Sequence, residues 1–251
     1  MKKFILIILA CFLSIPVINS QTKPFFSVER PDKILEIDVH ALVGTSVLSQ
    51  DYASHVPSIT SVEASPGCGF GAGVSAQMVF KDFFALGTRL DLLVNNNKYS
   101  MALLDVDGAG AQSSVFVANR SVSANVPVFV SVRFNISDNV RWNVDGGCYF
   151  SLGLGGYQKA DTYTTMLNDL GQMVSEYQKY KWDYYNEKQP LIHGIDDVDI
   201  GLYFGTGLLI NDHYNVGIET RISTKNASTD GGVIHPNMYN HLFAMKLGYQ
   251  F

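Results

Sequence analysis

The sequence predicts an all-β fold: an eight-stranded antiparallel up-and-down transmembrane β-barrel with long extracellular loops, one containing a short helix. Three observations predict it. Eight segments alternate apolar and polar residues with a period of two, and no Lys, Arg, Asp or Glu falls on any apolar row. The connections between them alternate short and long. Beyond the amino-terminal stretch, no apolar run approaches the length of a membrane-spanning helix.

The segments follow one another in a regular way. In the first, Leu35, Ile37, Val39, Ala41 and Val43 oppose Glu36, Asp38 and His40. The second sets Phe70 to Phe80, in steps of two, against Gly69, Gly71, Gly73, Ser75 and Gln77, and the third sets Phe84, Leu86, Leu90 and Leu92 against Arg89 and Asp91. The fourth carries Val122 to Phe134 against Ser123, Asn125, Ser131 and Arg133; the fifth carries Trp142, Val144, Cys148, Phe150 and Leu152 against Arg141, Asn143, Asp145 and Ser151. The sixth opposes Val198, Ile200, Leu202 and Phe204 to Asp197, Asp199 and Tyr203, and the seventh opposes Val216, Ile218 and Ile222 to Asn215, Glu219 and Arg221. The eighth has His241, Phe243, Met245, Leu247, Tyr249 and Phe251 on one face and Asn240, Ala244, Lys246, Gly248 and Gln250 on the other.

Short links around Asp82, at Ser137-Asp138-Asn139 and at Asn211-Asp212-His213 use turn-forming residues. Long links run from Val47 to Pro66, Asn95 to Ser121, Gly155 to Asp196 and Thr224 to Pro236. Short turns at one end and long loops at the other are the pattern of an outer-membrane barrel with both termini periplasmic. A soluble β-sandwich also makes apolar rows, but has no reason to gather its long loops at one end. Aromatics near strand ends, Phe80, Phe83, Phe84, Trp142, Tyr214 and Tyr249, predict a periplasmic girdle. In the longest loop, Met166, Leu170, Met173, Val174 and Tyr177 recur at helical spacing, which predicts a helix from about Thr164 to Tyr185.

The amino terminus reads as a signal peptide over residues 1–20: Lys2 and Lys3, an apolar run from Phe4 to Ile15, then a polar stretch. Residues 21–32 are a short lead-in, and 33–251 the barrel domain. Removing the two lysines takes the net charge from −5 to −7, which argues against a nucleic-acid partner. Cys68 and Cys148 are too few for a disulfide scaffold and lack zinc-site spacing, so they read as small lipid-facing or packed residues. The closing Phe251, with Tyr249, resembles the terminal assembly signal of outer-membrane barrels, which implies outer-membrane lipid and the barrel-assembly machinery as partners.

The chain as a whole resembles the small Bacteroidota outer-membrane barrels of the PorT-like family. The marks are Asn125-Val126-Pro127-Val128, Gly146-Gly147 with Tyr149, Asp199-Ile200-Gly201-Leu202 followed by Gly205 and Gly207, Gly217-Ile218-Glu219-Thr220-Arg221, and Leu247-Gly248-Tyr249-Gln250-Phe251. The resemblance implies a barrel and an outer-membrane address, and secretion or envelope assembly as the setting. It implies no single activity.

Thirteen polar-row residues form the candidate lumen network: Glu36, Asp38, His40, Arg89, Asp91, Arg133, Arg141, Asp145, Asp197, Asp199, Glu219, Arg221 and Lys246. An eight-stranded barrel is just wide enough for side chains to fill, so these charges are expected to pair as a plug rather than line an ion path. Arg133 is expected diagonal to Asp145, and Lys246 towards Glu36 or Asp38. The glycines at 67, 69, 71 and 73 precede no helix and no Lys-Ser/Thr ending, so they are not a phosphate loop. His193, Asp196, Asp197 and Asp199 cluster at a rim, but Asp196 points away from its neighbours, and neither metal nor cofactor is expected. His40 with Asp38 and Ser residues suggests an outer-membrane lipase or acyltransferase, but no Gly-x-Ser-x-Gly elbow occurs and the pair lies on the lumen row. Tyr177, Tyr180, Trp182, Tyr184 and Tyr185 suit binding of an extracellular protein or glycan, or equally a cap over the barrel mouth. The expectation is a non-enzymatic outer-membrane barrel; the alternatives are a narrow ion or solute pore, or a lipid-modifying enzyme.

Overall fold

The computed structural model describes residues 23–31, 33–104, 111–168, 170–185, 194–228 and 236–251. The predicted signal peptide and His193 lie outside the described residues. The strands are β1 (Leu35–Gln50), β2 (Ile59–Ser65), β3 (Gly67–Lys81), β4 (Phe84–Leu104), β5 (Gln112–Ser137), β6 (Val140–Leu167), β7 (Met173–Asp183), β8 (Val198–Ile210), β9 (Tyr214–Ser223) and β10 (Met238–Gln250). One helical turn, α1 (Tyr52–His55), follows β1.

Eight of these strands close a ring in the order β1, β3, β4, β5, β6, β8, β9, β10, every neighbour antiparallel. Closure joins β10 to β1, with Val39 opposite Tyr249 and Leu42 opposite Lys246. The eight alternating segments are these eight strands, and closure leaves the ring without an unpaired edge. β2 and β7 stand outside it, paired to the upper parts of β4 and β6. Tight turns sit at Asp82, at Asp138 and at Asn211–His213, where Asn211 (φ 53°) and Asp212 (φ 58°) adopt the left-handed conformation that these short polar residues tolerate.

The predicted helix over Thr164–Tyr185 does not form. β6 runs on to Leu167, the chain turns at Asn168–Gly171, and β7 pairs back from Met173 to Asp183. The Asn168 side chain accepts the Leu170 and Gln172 amides at 3.0 and 2.9 Å, and Gly171 takes φ 73°, which makes a turn where a helix would have to continue. Flanking runs such as Thr162-Tyr163-Thr164-Thr165 and Tyr180-Lys181-Trp182 are β-branched and aromatic, and the edge of β6 supplies the backbone partners. The helical turn that does exist is in the first long link.

Strands β4, β5 and β6 also outrun the expected segments, and along them the two faces exchange character. On β4 the outward row reads Leu86, Leu90, Leu92 and Val94, then Asn96, Lys98 and Ser100. The inward row reads Arg89 and Asp91, then Leu93, packed with Leu42, Leu242 and Ala244, then Asn95 and Asn97, then Tyr99 and Met101. β5 repeats this: outward Val122 gives way to Arg120, while inward Arg133 and Asn125 lead to Val117 and Val115. The outward aliphatic stretch, Phe84–Val94 on β4 and Val122–Phe134 on β5, is a belt. Tilted as barrel strands are, it stands roughly 25–30 Å tall.

Pro127 sits inside β5, where it cannot donate to β4. The β4–β5 ladder pairs Thr88 with Val128 and Asp91 with Asn125 and skips the residues between; the Thr88 hydroxyl instead donates to the Pro127 carbonyl at 3.1 Å. Residues 23–31 are strapped against the short-turn end. Asn135 donates its amide to the Phe25 carbonyl (2.9 Å) and its side chain to the Pro24 carbonyl (3.0 Å), while Phe25 stacks on Phe134 and Phe26 packs on Phe83. The six expected girdle aromatics lie on the outer surface at this end, with Phe80 on Phe84 and Tyr249 on Tyr214, and Phe25 and Phe26 extend the ring.

Candidate functional site

The barrel interior is stacked in three layers. The lowest layer is ionic. Asp38 and Asp91 hold His40 between them, each with a carboxylate oxygen 2.7 Å from one ring nitrogen. Carboxylate oxygens only accept, so an imidazole with both nitrogens so placed donates from both, as imidazolium does. Arg221 bonds Asp91 on one side and Glu219 on the other, the latter at 2.7 Å. Arg89 lies 2.8 Å from Glu219 and 3.4 Å from Asp91, with its guanidinium 4.9 Å from the centre of the Tyr203 ring. Lys246 is buried on the same inner wall, opposite Leu42 of β1. Gly73 makes the Asp38–His40–Asp91 contact possible, because a Cβ there would fall 2.6 Å from the Leu90 carbonyl and 2.9 Å from His40 Nε2.

Nearer the turns a second ionic group forms. Arg133 pairs with Glu36 at 2.8 Å and donates to Gln77 at 2.6 Å, and Arg141 approaches Glu36 at 3.6 Å and Asp212 at 3.7 Å. The register places Arg133 diagonal to Asp145, as expected, but its side chain reaches across to Glu36 instead. A long guanidinium spans a narrow lumen more easily than it doubles back along its own sheet. Asp145 instead accepts from Asn143 at 3.1 Å. Phe129, Tyr149 and Tyr203 form a buried cluster, with the Arg89 guanidinium over the Phe129 and Tyr203 rings, a packing role the parity of their positions carried but their residue type disguised.

Above the ions lies a polar layer. Asn119 donates to Asn97 at 2.8 Å and Asn125 to Ser123 at 2.8 Å. A cavity of ≈ 50 Å³ opens here, walled by Asn95, Ser121, Ser123, Tyr149, Asp199 and Arg221 among others. Asp199 accepts from Tyr149 (2.9 Å) and Ser223 (2.6 Å); Asp197 and Asp196 line the same cavity, and Asp196 pairs with Lys225 at 2.6 Å. Burial acts to raise the Asp196 carboxyl, but the Lys225 ammonium and the Val198 amide outweigh it and hold it below the usual carboxylate range. Among the described residues no three of His, Cys, Asp and Glu converge as metal ligands.

The top layer is dry. Leu48, Tyr52, Tyr99, Met101, Val115, Val117, Tyr184 and Met238 form one buried cluster, with Trp182 and Tyr185 packed against it. Burial pushes the Tyr184 and Tyr99 phenols well above their ordinary range and that of Tyr185 up to about 12, so all three stay neutral near pH 7. The five loop aromatics therefore divide. Trp182, Tyr184 and Tyr185 cap the mouth, while Tyr177 and Tyr180 are exposed on opposite faces of the β6–β7 hairpin. Cys68 and Cys148 are separate thiols on the outer surface, and Phe251 is exposed beside Tyr249, its amide bonded to the Ile37 carbonyl at 3.0 Å.

No protein-family model matches this chain, and no curated protein does. Among solved structures it is similar to Ail, the attachment invasion locus protein of Yersinia pestis, at 12% identity over 87% of this chain and 100% of that one, with a TM-score of 0.37. It is similar to Neisserial surface protein A at 12% identity over 87% and 98%, TM-score 0.28, and to the outer membrane protein OprG from Pseudomonas aeruginosa at 9% over 91% and 99%, TM-score 0.31. At these scores the case for a membrane barrel rests on the chain's own side-chain rows.

Proposed function

We propose that this chain is a non-enzymatic integral outer-membrane β-barrel, with its short turns and girdle in the periplasm and a capped extension outside the cell. The observation that carries the reading is the exchange of faces at one height on the paired strands β4 and β5, where Val94 lies opposite Val122. Below Val94 and Val122 the aliphatic side faces out and the ionic side faces in; above them the aliphatic side turns inward to make a dry core. A protein surrounded by water throughout has no reason to invert its pattern part-way along a continuous strand. A protein that leaves a bilayer at that height does, because its outer surface passes from acyl chains to water.

The filled lumen supports a structural role over conduction. Both ring nitrogens of His40 are held by carboxylates, which leaves neither to activate a nucleophile. The exposed Tyr177 and Tyr180 of the β6–β7 hairpin are the surface offered to an extracellular protein or glycan, and the PorT-like resemblance suggests secretion or envelope assembly as the setting. The test is gel mobility of the detergent-purified chain with and without boiling, followed by planar-bilayer recording. A band that shifts on heating, with no unitary conductance, is expected. A chain that stays in aqueous solution without detergent would refute the membrane reading, and steady channel openings would refute the plug.

A further inference from the structure

Immediately above the aliphatic belt, basic residues gather on one side of the barrel. The described residues place six lysines and arginines in the extension: Lys98, Arg120, Lys159, Lys179, Lys181 and Lys225. Lys225, on the far side, is paired with Asp196. The other five project from the outer face of the continuous sheet β4–β5–β6–β7. The register sets Asn96 beside Arg120, Lys98 and Lys159 on either side of Ala118, and Lys159 opposite Lys181. Acids on the same face are Glu63, Asp161 and Asp183. Asp161 is taken up by Lys179 (3.8 Å) and the Tyr177 hydroxyl (2.9 Å), and Asp183 accepts the Tyr185 amide at 3.2 Å. Among the described residues Lys98, Arg120, Lys159 and Lys181 make no ion pair.

Three of these cations, Lys98, Arg120 and Lys159, line a groove of ≈ 350 Å³ together with the small residues Gly67 and Cys68 and with Tyr157. The Lys159 and Lys181 ammonium groups lie 4.9 and 5.1 Å from the centre of the Tyr157 ring. One aromatic ring thus holds two like charges beside the groove. Arg120 is the first outward residue of β5 above Val122, and Asn96 and Lys98 are the first two of β4 above Val94, so the groove stands at the upper border of the aliphatic belt, the height that the proposed bilayer position gives to lipid headgroups.

We infer that this groove binds the phosphorylated headgroup of an outer-leaflet glycolipid, whose chains lie along the aliphatic belt below. The inference rests on the membrane reading proposed above. It follows from position: several unpaired cations around a concavity at the edge of the belt, in a chain that is otherwise acidic, match a fixed anion presented from the bilayer. A soluble polyanion would have no reason to be met at that height.

The test uses the full chain folded in detergent micelles, its folding confirmed by the heat-dependent shift, and native mass spectrometry with diphosphoryl lipid A against the same lipid stripped of phosphate. Wild type is expected to retain the diphosphoryl form selectively and to lose it as salt rises. At about fivefold per cation, the triple variant Lys98→Gln, Arg120→Gln, Lys159→Gln binds on the order of 100-fold more weakly, and Lys225→Gln binds as wild type does. Equal retention of the dephosphorylated lipid, or undiminished binding by a triple variant that still shifts on heating, overturns the lipid site alone. So does a sulfated polysaccharide that binds lipid-free micelles of wild type as tightly and loses affinity in the triple variant. Absence of the heat shift in wild type overturns the barrel beneath it as well.

Discussion

Replacing Arg89 with Met tests whether the lumen ions hold the barrel together. Arg89 is 2% exposed, Asp91 0% and Glu219 3%, so none of the three has water to fall back on. Met keeps much of the apolar stem of Arg and deletes the charge that stands 2.8 Å from Glu219. Removing one partner of a buried ion pair costs about 3–5 kcal/mol. Arg221 still bonds both Asp91 and Glu219, which pulls the expected loss to the low end, about 3 kcal/mol. Loss of the contact with the Tyr203 ring adds about 1 kcal/mol. Adding Glu219→Gln to the same chain removes the carboxylate left with one cation where it had two and should recover roughly half of that loss, the coupling expected of residues in contact. Urea unfolding in lipid vesicles measures it, read by the two tryptophans: Trp142 reports on the belt near the turns and Trp182 on the extension. A single variant within about 0.5 kcal/mol of wild type, or a double variant no better than the sum of its parts, would refute the mutual neutralisation inferred here.

Four further outcomes follow from the layers. Leu90→Arg, facing out in mid-belt, should cost about 2–4 kcal/mol in vesicles, whereas Ser114→Arg, outward above the border, should cost less than about 1 kcal/mol; equal costs would move the border. Tyr184→Ala opens the dry cap and should destabilise it by about 3–5 kcal/mol, seen as protease nicking of the extension in a barrel that still resists detergent before boiling. Gly73→Val puts a side chain against the Leu90 carbonyl and His40, and no heat-resistant band is expected. The Asp196–Lys225 pair draws on a carboxyl held below its ordinary value of 3.8, so its contribution is complete well above that pH and is lost as pH falls further; the protection factor of the Val198 amide, its exchange rate relative to an unstructured chain at the same pH, should fall below pH 3.8 and stay flat between pH 6 and 8.

Much of the ionic layer was legible because strand parity is strict: a charge two residues from another charge shares its face, and an all-aliphatic partner row leaves no doubt which face is which. That parity placed Glu36, Asp38, His40, Arg89, Asp91, Glu219 and Arg221 in one interior without a structure. It did not choose partners. Arg133 was expected with Asp145 and found Glu36, since reach across a lumen depends on the curvature of closure, which neighbouring residues in a hairpin do not encode. The helix expected over Thr164–Tyr185 failed for a related reason: Met166, Met173 and Tyr177 also fit two strands with Leu170 in the turn between them, and the edge of β6 decided between the readings.

The one-dimensional chain, then, determined the number of ring strands, the side of each that shuns water and the ends at which the turns are tight, because these follow from local alternation and turn chemistry. Tertiary structure decided where the belt stops. Above Val94 and Val122 the inward rows of β4 and β5 become apolar, and a pattern that seems merely to break there is the start of a second, dry core. Which rows would meet across the axis, and which cations would be left without partners at the border, emerges only when the sheet is rolled shut and residues distant in sequence share a few ångströms.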